Sequence, residues 1–338
     1  MTARDDQRGV ALLMVLMLLA TVAVVAVATT ALVGRSVARA QAAQARDAGV
    51  WALRGAEVAA VALLDAATSA APPPIGRTLT LPVGGGAVQA RLDPVACLNV
   101  NAFVSGGPGA YATPTGSGGA AGPGIAAFGR LVVALGGNEP AARRLAEATA
   151  DFLDTDETPN PGGAEDFDLV RRAVPYRTAN RLIADPSELR AVPGWDAATY
   201  GALRPYLCAL PGTAVLPLDV NGLRPGDAPV LAAHMRTTLP IGEIERLIAG
   251  RPEGGWESAA DFTGLPLVAG SGLDPTTVDV TPGLLSLSAR ATSGGQELGM
   301  IALIYRDGGA WRVISRRFGP VPPAPPASQG PASQGSAR

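Results

Sequence analysis

The chain begins with a strongly apolar segment that runs directly into an amphipathic one. Residues 10–33 contain no charged side chain, and a helix of that length rises about 36 Å, enough to cross a hydrocarbon core of roughly 30 Å. Residues 35–67 lack proline, and their apolar positions recur near helical spacing, at Val37, Ala40, Trp51, Val58, Val61 and Leu64. The pattern predicts one helix of about 60 residues that ends before the proline run at 72–74, which no helix interior tolerates.

Glycine-bounded apolar runs further along the chain predict strands. Runs at 78–83 and 87–92 flank three consecutive glycines and predict a β-hairpin. Three later runs, separated by Gly-Gly turns, predict an antiparallel meander: Leu284–Arg290, Leu298–Tyr305 and Trp311–Arg317. From Ile125 to about Ala148 the pattern is helical. The expected fold class is α+β, in which a long amino-terminal helix packs on an antiparallel sheet that a large, mainly α-helical insertion interrupts.

The residues before the apolar segment form a short charged leader. It contains Arg4 and Arg8 and ends at Gly9, so that the uncharged run begins at Val10. An ordinary secretory signal, cut after Ala28, is the alternative, although its apolar region is usually only ~7–15 residues long and needs no helical continuation. The leader resembles the type III signal of type IV pilins and pseudopilins. That resemblance implies cleavage between Gly9 and Val10 by a prepilin peptidase, followed by methylation of the new amino terminus.

A more specific resemblance lies in the middle of the chain. Pilins usually carry Glu at the fifth mature position, where this chain has Met14; the K-type minor pseudopilins of type II secretion systems resemble it in lacking that Glu. Three stretches look like that family's acidic loop, helical segment and return strand, in the family order: residues 151–169, 175–212 and 216–222. On these stretches the chain is identified as a member of the K-type minor pseudopilin family, and Met14 is interpreted as a marker of the tip position.

The patterns and the resemblance together predict the organisation of the chain. The predicted segments are a prepilin leader (1–9), a transmembrane half-helix (10–33), a periplasmic half-helix (34–71), the first part of a pilin-like β domain (72–103), a helical insertion (104–280), a completing β meander (281–319) and a disordered proline-rich tail (320–338). Within the insertion, an acidic loop is expected at 151–168 and a helix–hairpin–helix-like segment at 185–210.

Composition narrows the range of functions. The net charge is −2, and every basic residue is Arg, so the chain has no bulk electrostatic attraction to nucleic acid. The two cysteines, Cys97 and Cys208, would form a plausible disulfide in an oxidising compartment; two buried free thiols are the alternative. No Cys/His cluster, nucleophile elbow or phosphate-binding loop is present in the sequence.

The acidic loop is the most distinctive candidate for chemistry. Seven carboxylates without an intervening Arg fall between residues 151 and 168: Asp151, Asp154, Asp156, Glu157, Glu165, Asp166 and Asp168. Such groups repel one another unless solvent or a cation relieves them, and Ca²⁺ takes 6–8 oxygen ligands. Pro159 stands where an EF-hand needs glycine. Charge alone favours a solvated loop, whereas the resemblance implies a calcium site, with Asp154, Asp156, Glu165, Asp166 and Asp168 as candidate ligands.

Two further features have simple structural interpretations. The segment around Gly194 resembles a helix–hairpin–helix, and a weaker copy runs from Ile241 to Leu267; in nucleic-acid proteins such hairpins meet phosphates. Here acidic residues surround the glycine and no Lys is present, so a packing role is the stronger interpretation. His234 lies in a predicted helix and is interpreted as structural. The absence of catalytic motifs predicts a protein that is not an enzyme, with an aspartyl-type hydrolase as the weaker alternative.

The resemblance implies a function by assembly. It predicts a single-pass protein of the bacterial inner membrane, with its bulk in the periplasm, at the tip of the type II secretion pseudopilus. There it would initiate or cap assembly and support the export of folded proteins across the outer membrane. The implied partners are the I-type and J-type minor pseudopilins, the major pseudopilin indirectly, the prepilin peptidase and candidate secreted substrates, with no nucleic acid. The alternative from a different class is a membrane-tethered helix–hairpin–helix protein for DNA binding and uptake.

Overall fold

A computed structural model describes residues 3–67, 72–84, 86–104, 122–178, 180–212 and 218–321. The α-helices, in chain order, are α1 Ala3–Asp65, α2 Pro123–Ala134, α3 Glu139–Leu153, α4 Asp166–Leu169, α5 Ala197–Leu203, α6 Ala228–His234, α7 Ile241–Ala249, α8 Ala259–Thr263 and α9 Pro266–Ala269. The strands are β1 Thr78–Val83, β2 Gly86–Pro94, β3 Leu98–Asn99, β4 Leu207–Cys208, β5 Leu218–Asp219, β6 Val278–Asp279, β7 Leu284–Ser293, β8 Gln296–Asp307 and β9 Ala310–Phe318.

The long amino-terminal helix predicted from the sequence is confirmed. It is a single α-helix of 63 residues. Its portion from Leu12 onward contains an 18-residue window with a mean hydropathy of 2.8, none of which is buried within the structure. By length and composition this helix could cross a membrane.

The predicted hairpin and meander join into one antiparallel sheet. Its strand order is β1-β2-β7-β8-β9, so the two parts, which are far apart in sequence, meet where β2 pairs with β7. Their register runs from Gln89 opposite Arg290 to Pro94 opposite Leu285. The predicted α+β fold, with an insertion that leaves and re-enters the sheet between these two strands, is therefore confirmed.

Helix α1 covers one face of this sheet with a narrow stripe of buried side chains. The stripe consists of Leu53, Ala56, Ala60 and Leu64, and it packs on the inward-facing residues of β2, β7 and β8. Gly55 allows the close approach, because a Cβ there would collide with Val83 Cγ1. At the sheet edge, the buried Glu57 carboxylate accepts a hydrogen bond from Arg316 Nε at 2.6 Å, which ties α1 to β9 through a charge-assisted contact.

The insertion consists of two units that are built in the same way. Each begins and ends in a two-residue parallel strand pair, β3 with β4 in the first unit and β5 with β6 in the second. The opening strands carry related sequences, Leu-Asn-Val-Asn at 98–101 and Leu-Asp-Val-Asn at 218–221. Each unit has its own apolar core, which contains Phe103, Phe128 and Trp195 in the first unit and Val220, Leu231 and Phe262 in the second.

The last residue of each related sequence holds its unit together. The Asn101 side chain donates to the carbonyls of Ile183 (3.0 Å) and Leu210 (2.9 Å), and it accepts from the Ile183 N–H (3.1 Å). The Asn221 side chain donates to Trp256 O (2.9 Å) and Val280 O (3.2 Å), and it accepts from Trp256 N–H (2.9 Å). One amide in each unit thus joins the opening strand, the middle of the unit and the closing strand.

Two details of the sequence-based prediction differ from the structure. The helical pattern predicted from Ile125 to Ala148 is two helices, α2 and α3, because Gly136 adopts a φ of +80° and the Asn138 side chain accepts from Ala141 N–H to cap α3. In the segment 185–210, the first element is the 3₁₀ turn Pro186–Ala191 rather than an α-helix. Of the predicted proline-rich tail, only Pro320 and Val321 lie within the described residues.

A disulfide links the segment that follows β2 to the closing strand of the first unit. Cys97 and Cys208 are bonded, with their Cα atoms 5.7 Å apart and a sequence separation of 111 residues. Cys97 follows the end of β2, and Cys208 lies in β4, the closing strand of the first unit. The bond therefore fixes the return of the first unit close to the sheet.

Candidate metal site

The acidic loop connects two helices at the surface of the first unit. Helix α3 ends at Leu153, and Asp154 is its C-cap residue. Glu165 occupies the N-cap position of α4. The loop therefore begins and ends with a carboxylate, and each of these residues is held in place by the end of a helix.

Three of the predicted ligands come together at this point. Asp154, Asp156 and Glu165 each offer a carboxylate oxygen, and these oxygens all lie within 4.8 Å of one another. Two of the oxygens, Asp154 Oδ1 and Glu165 Oε1, are buried and find no hydrogen-bond donor within the described part of the chain. Buried acceptors of this kind are costly unless another group satisfies them. A hard cation that prefers oxygen ligands fits the donor set and would satisfy both atoms.

The electrostatics of the cluster agree with this interpretation. Burial, together with the charges of Asp156 and Asp151, raises the pKa of Asp154 to about 7. Burial, together with Asp151, Asp154 and the other nearby carboxylates, raises the pKa of Glu165 to about 8. Both groups resist ionisation because burial and the neighbouring carboxylates disfavour their charged forms, and a bound cation would reverse that balance.

Asp151, which was not among the candidate ligands, holds the loop in place through hydrogen bonds from within α3. It is fully buried and accepts from the backbone N–H of Asn160 at 3.1 Å, as well as from the Asn160 side chain. A Cβ at Gly163 would collide with the Asp151 carboxylate, so only glycine lets the loop approach this closely. Burial raises the pKa of Asp151, although the bonds from Asn160 oppose that shift. The acidic count in the sequence included Asp151, but its supporting role depends on tertiary contacts.

Two of the five predicted ligands are not part of the cluster. The Asp166 carboxylate accepts from Thr178 N–H at 2.7 Å and Thr178 Oγ1 at 2.8 Å, and it pairs with Arg177 at 3.3 Å. The two hydrogen bonds from Thr178 are the main cause of the lowered pKa of Asp166. Asp168 lies in α4 with its side chain exposed, outside the cluster. Both residues lie outside the cluster because the chain turns into α4 directly after Glu165.

The other residues singled out in the sequence have structural roles. The hairpin glycine Gly194 has a φ of +89°, and the adjacent Trp195 is buried and donates from Nε1 to Thr149 Oγ1 at 3.0 Å. Asp196 caps α5 by accepting from Thr199 N–H at 2.7 Å, so a carboxylate stands where a phosphate would have to approach. Burial and the charge of Arg130 lower the pKa of His234 to about 4, which keeps this histidine neutral in the packed interior.

The residues predicted for processing lie in the first helix. Gly9 and Val10 are within α1. Met14 lies in the same helix with its side chain 66% exposed.

Comparisons with known proteins agree with the organisation described above. A family model for "Type II secretion system (T2SS), protein K" matches residues 96–212, and a second model with the same description matches residues 218–281. The two matches correspond to the two units of the insertion. The type II secretion system protein K of Pectobacterium carotovorum is 30% identical over 339 residues, which cover 94% of this chain and 98% of the relative.

The chain belongs to the type II secretion system protein K family. The Klebsiella pneumoniae protein K is 33% identical, over 93% of this chain and 97% of the relative. The fold is also similar to a chain in the crystal structure of the GspK-GspI-GspJ complex from the enterotoxigenic Escherichia coli type 2 secretion system. The TM-score is 0.66 with 26% identity, and the match covers 84% of this chain and 100% of that chain. The protein is therefore a K-type minor pseudopilin, as its long helix and interrupted sheet indicate.

In metal-free buffer the melting temperature of the full-length protein in detergent should fall as the pH rises from about 4 to about 8. The unfolded carboxyls ionise near pH 4, whereas Asp154 and Glu165 keep their protons in the folded chain up to about 7 and about 8. Folding then takes up protons, so stability is lost with rising pH until both folded pKa values are passed.

The double variant Asp154→Asn, Glu165→Gln should show a flatter melting profile across this pH range. Asp168→Asn is the matched control, since it removes an exposed carboxylate outside the cluster, and it should keep the wild-type slope. If the melting temperature changed with pH equally in all three proteins, the raised pKa values of Asp154 and Glu165 would be contradicted.

Proposed function

We propose that this minor pseudopilin is the tip subunit of the type II secretion pseudopilus. The observation that carries the proposal is the insertion: residues 95–283 leave the sheet after β2 and return before β7, as a body of two packed units. A pilin-like subunit with such a body attached at one end of its sheet can be followed by other subunits along its helix. Repeating the same body at every position of a tightly wound shaft would produce steric clashes.

The outward face of α1 is the surface that we propose for the other minor pseudopilins. On the side away from the sheet, Trp51 and Val58 are 67% and 69% exposed, and the Arg54 guanidinium lies 5.4 Å from the Trp51 ring centroid. Large apolar side chains left exposed in a helix fit another helix. The similar solved chain forms a complex with GspI and GspJ, which supports I-type and J-type minor pseudopilins as the partners here. The major pseudopilin would follow below them.

The proposed membrane placement follows from α1. Its uncharged part would hold the chain in the inner membrane as a single-pass anchor, and the sheet and insertion would lie in the periplasm. In that placement the subunit supports the export of folded substrates by starting or capping the filament, without catalysing a reaction. The periplasm is an oxidising compartment in which disulfides persist, and the bonded pair Cys97–Cys208 supports this placement.

The leader is proposed to be cut by the prepilin peptidase between Gly9 and Val10. Mass spectrometry of the membrane-extracted protein should find a chain that begins at a methylated Val10. Gly9→Val should leave the leader in place, since the peptidase site accepts little beyond glycine. A chain that begins after Ala28, or an uncut chain in cells that contain the peptidase, would contradict processing as a pilin.

The position at the tip can be tested together with the partner face. Immunogold labelling of sheared pseudopili should place this subunit at one end only. Trp51→Glu should abolish end labelling and co-purification with the I-type and J-type subunits, because a buried carboxylate would replace an apolar contact. Phe167→Ser is the matched control, as Phe167 is 64% exposed but lies on the insertion. Label along the shaft, or equal loss for both variants, would overturn the proposal.

We propose calcium as the cation at the Asp154, Asp156 and Glu165 cluster. The melting temperature of the full-length protein should rise with added calcium and return with chelator, because a ligand that binds only the folded state stabilises it by mass action, by about 2.7 kcal/mol at a hundredfold excess over Kd. Asp156→Ala and Glu165→Ala should weaken the response, and Asp168→Ala should leave it intact. A melting temperature that changes with neither calcium nor chelator would contradict the proposed calcium site.

A further inference from the structure

A cavity of about 590 Å³ lies where the two units of the insertion meet. Helices α2 and α3 of the first unit form one wall, and the end of α6 with residues 235–239 of the second unit forms the other. Cavities that hold a ligand range from about 300 to 1,000 Å³. The space between the units is therefore large enough for a ligand, and its side chains decide which one.

Positive charge predominates in this cavity, although the chain as a whole has a net charge of −2. Among its described lining residues, Arg130, Arg143 and Arg236 are basic and Glu139 is acidic. Arg143 pairs with Glu147 at 2.8 Å. Arg130 and Arg236 form no ion pair within the described part of the chain, and the remaining segments contain no Asp or Glu that could supply one.

The Arg130 side chain reaches from the first unit to the second. Its Nε donates to the Ala233 carbonyl of α6 at 2.8 Å, which uses one of the five N–H donors of the guanidinium. Burial and then the charge of Arg236 lower the pKa of Arg130. Two cations thus disfavour each other in a partly buried place, and an anion bound there would offset both charges.

Arg236 follows α6 on a segment that is fixed by its backbone. The N–H groups of Arg236 and Thr237 both donate to the Ser271 carbonyl, at 2.8 and 2.9 Å, and Ser271 is fully buried. The nearby Asp274 carboxylate accepts from Thr276 N–H at 2.9 Å and from Thr276 Oγ1 at 2.8 Å, rather than from Arg236. The base of the Arg236 side chain is therefore positioned, while its guanidinium stays available to a ligand.

The other walls of the cavity determine what kind of anion fits. Ile125, Val133, Met235 and Leu239 line it with apolar side chains, and Thr238 adds a hydroxyl group. A hydrated inorganic ion would leave the apolar walls without a partner. A carboxylate that belongs to a peptide brings apolar side chains and carbonyl oxygens with it, and it therefore suits both parts of the lining.

We propose that this cavity binds an acidic peptide segment of another protein, whose Asp or Glu carboxylate is held by Arg130 and Arg236 while a neighbouring apolar side chain packs on the apolar wall. The guanidinium fork matches a carboxylate in shape and charge. Because the two arginines come from different units, the bound segment would also link these units to each other. The site lies away from α1 and the sheet, so it does not depend on the proposed position at the tip.

Fluorescence anisotropy with a labelled peptide tests this site. The probe is Ala-Leu-Glu-Glu-Leu-Ala, blocked at both ends, and it should bind the full-length protein in detergent. Arg130→Gln and Arg236→Gln should each weaken binding by about tenfold or more, because a charge-assisted hydrogen bond is lost. Arg236→Gln leaves the bond from Arg130 to α6 in place, so its folding is not at risk. Arg246→Gln is the matched control, since Arg246 is an exposed residue of the second unit outside the cavity lining, and it should bind like the wild type.

Two further measurements identify the ligand and the place where it binds. The uncharged peptide Ala-Leu-Gln-Gln-Leu-Ala should bind more weakly by about tenfold or more. His234 is the single histidine of the chain and precedes Met235 of the cavity lining. Its ring signal in an NMR spectrum should therefore shift when the acidic peptide is added to the wild type, and it should not shift in Arg236→Gln.

Several results would overturn the proposal. Equal binding of the two peptides, or undiminished binding by both Arg variants, would show that the carboxylate is not recognised by this pair. Displacement of the probe by phosphate or acetate at the concentration of the peptide would assign the cavity to a free anion instead. No binding of the acidic peptide at concentrations up to about 1 mM, a very weak affinity, would remove the peptide site altogether.

Discussion

The pairing of β2 with β7 is the contact on which the rest of the fold depends. These strands come from opposite sides of the insertion, yet they form the centre of the five-stranded sheet. Without this pairing the hairpin and the meander would be separate fragments, and α1 would have no continuous apolar face to cover. Closing so long a loop costs entropy that grows only slowly with its length. Once the strands are paired, a large insertion is therefore tolerated almost as easily as a short one.

The insertion meets this constraint because each of its units closes on itself. In both units a short parallel strand pair brings the two ends together, and one asparagine, the buried Asn101 or the half-buried Asn221, bonds to backbone groups from two other parts of the unit. An amide that is bonded in this way specifies one arrangement of the chain. The acidic cluster belongs to the first unit alone, and it lies where α3 ends. The proposed cation would thus stabilise the part of the insertion that its own charges weaken.

The sequence predicts the periodic elements of this protein well and the local geometry of its loops less well. The long helix, the hairpin and the meander follow from hydrophobic spacing and glycine turns, which act over short distances. The break between α2 and α3 was missed, although Gly136, Gly137 and Pro140 mark it in the sequence. Counting acidic residues identified the loop, but the partner of Asp166 is Thr178, twelve residues away. A contact of that kind arises from how the chain turns, and no spacing rule encodes it.

The roles of Asn101 and Asn221 were also outside the reach of sequence patterns. Asn101 pairs with Leu210, 109 positions away, and Asn221 pairs with Val280, 59 positions away; a single amide side chain has no periodic signature. The repeated Leu-Asn-Val-Asn and Leu-Asp-Val-Asn sequences are the signal that could have revealed them. Comparing the two halves of the insertion with each other would have shown that both asparagines occupy the same place.

The attachment of the insertion has a mechanical consequence. The insertion joins the sheet through the end of β2 and the start of β7, which lie side by side at one end of the strands, in the interior of the sheet. A pull on the insertion along the strands therefore draws β2 and β7 in the same direction, and it does not slide them past each other. The resisting shear falls on the outer ladders, β1 with β2 and β7 with β8, whose hydrogen bonds are loaded together. Strands loaded in this way resist extension as a group, so thrust or drag on the insertion would reach α1 through the whole sheet at once.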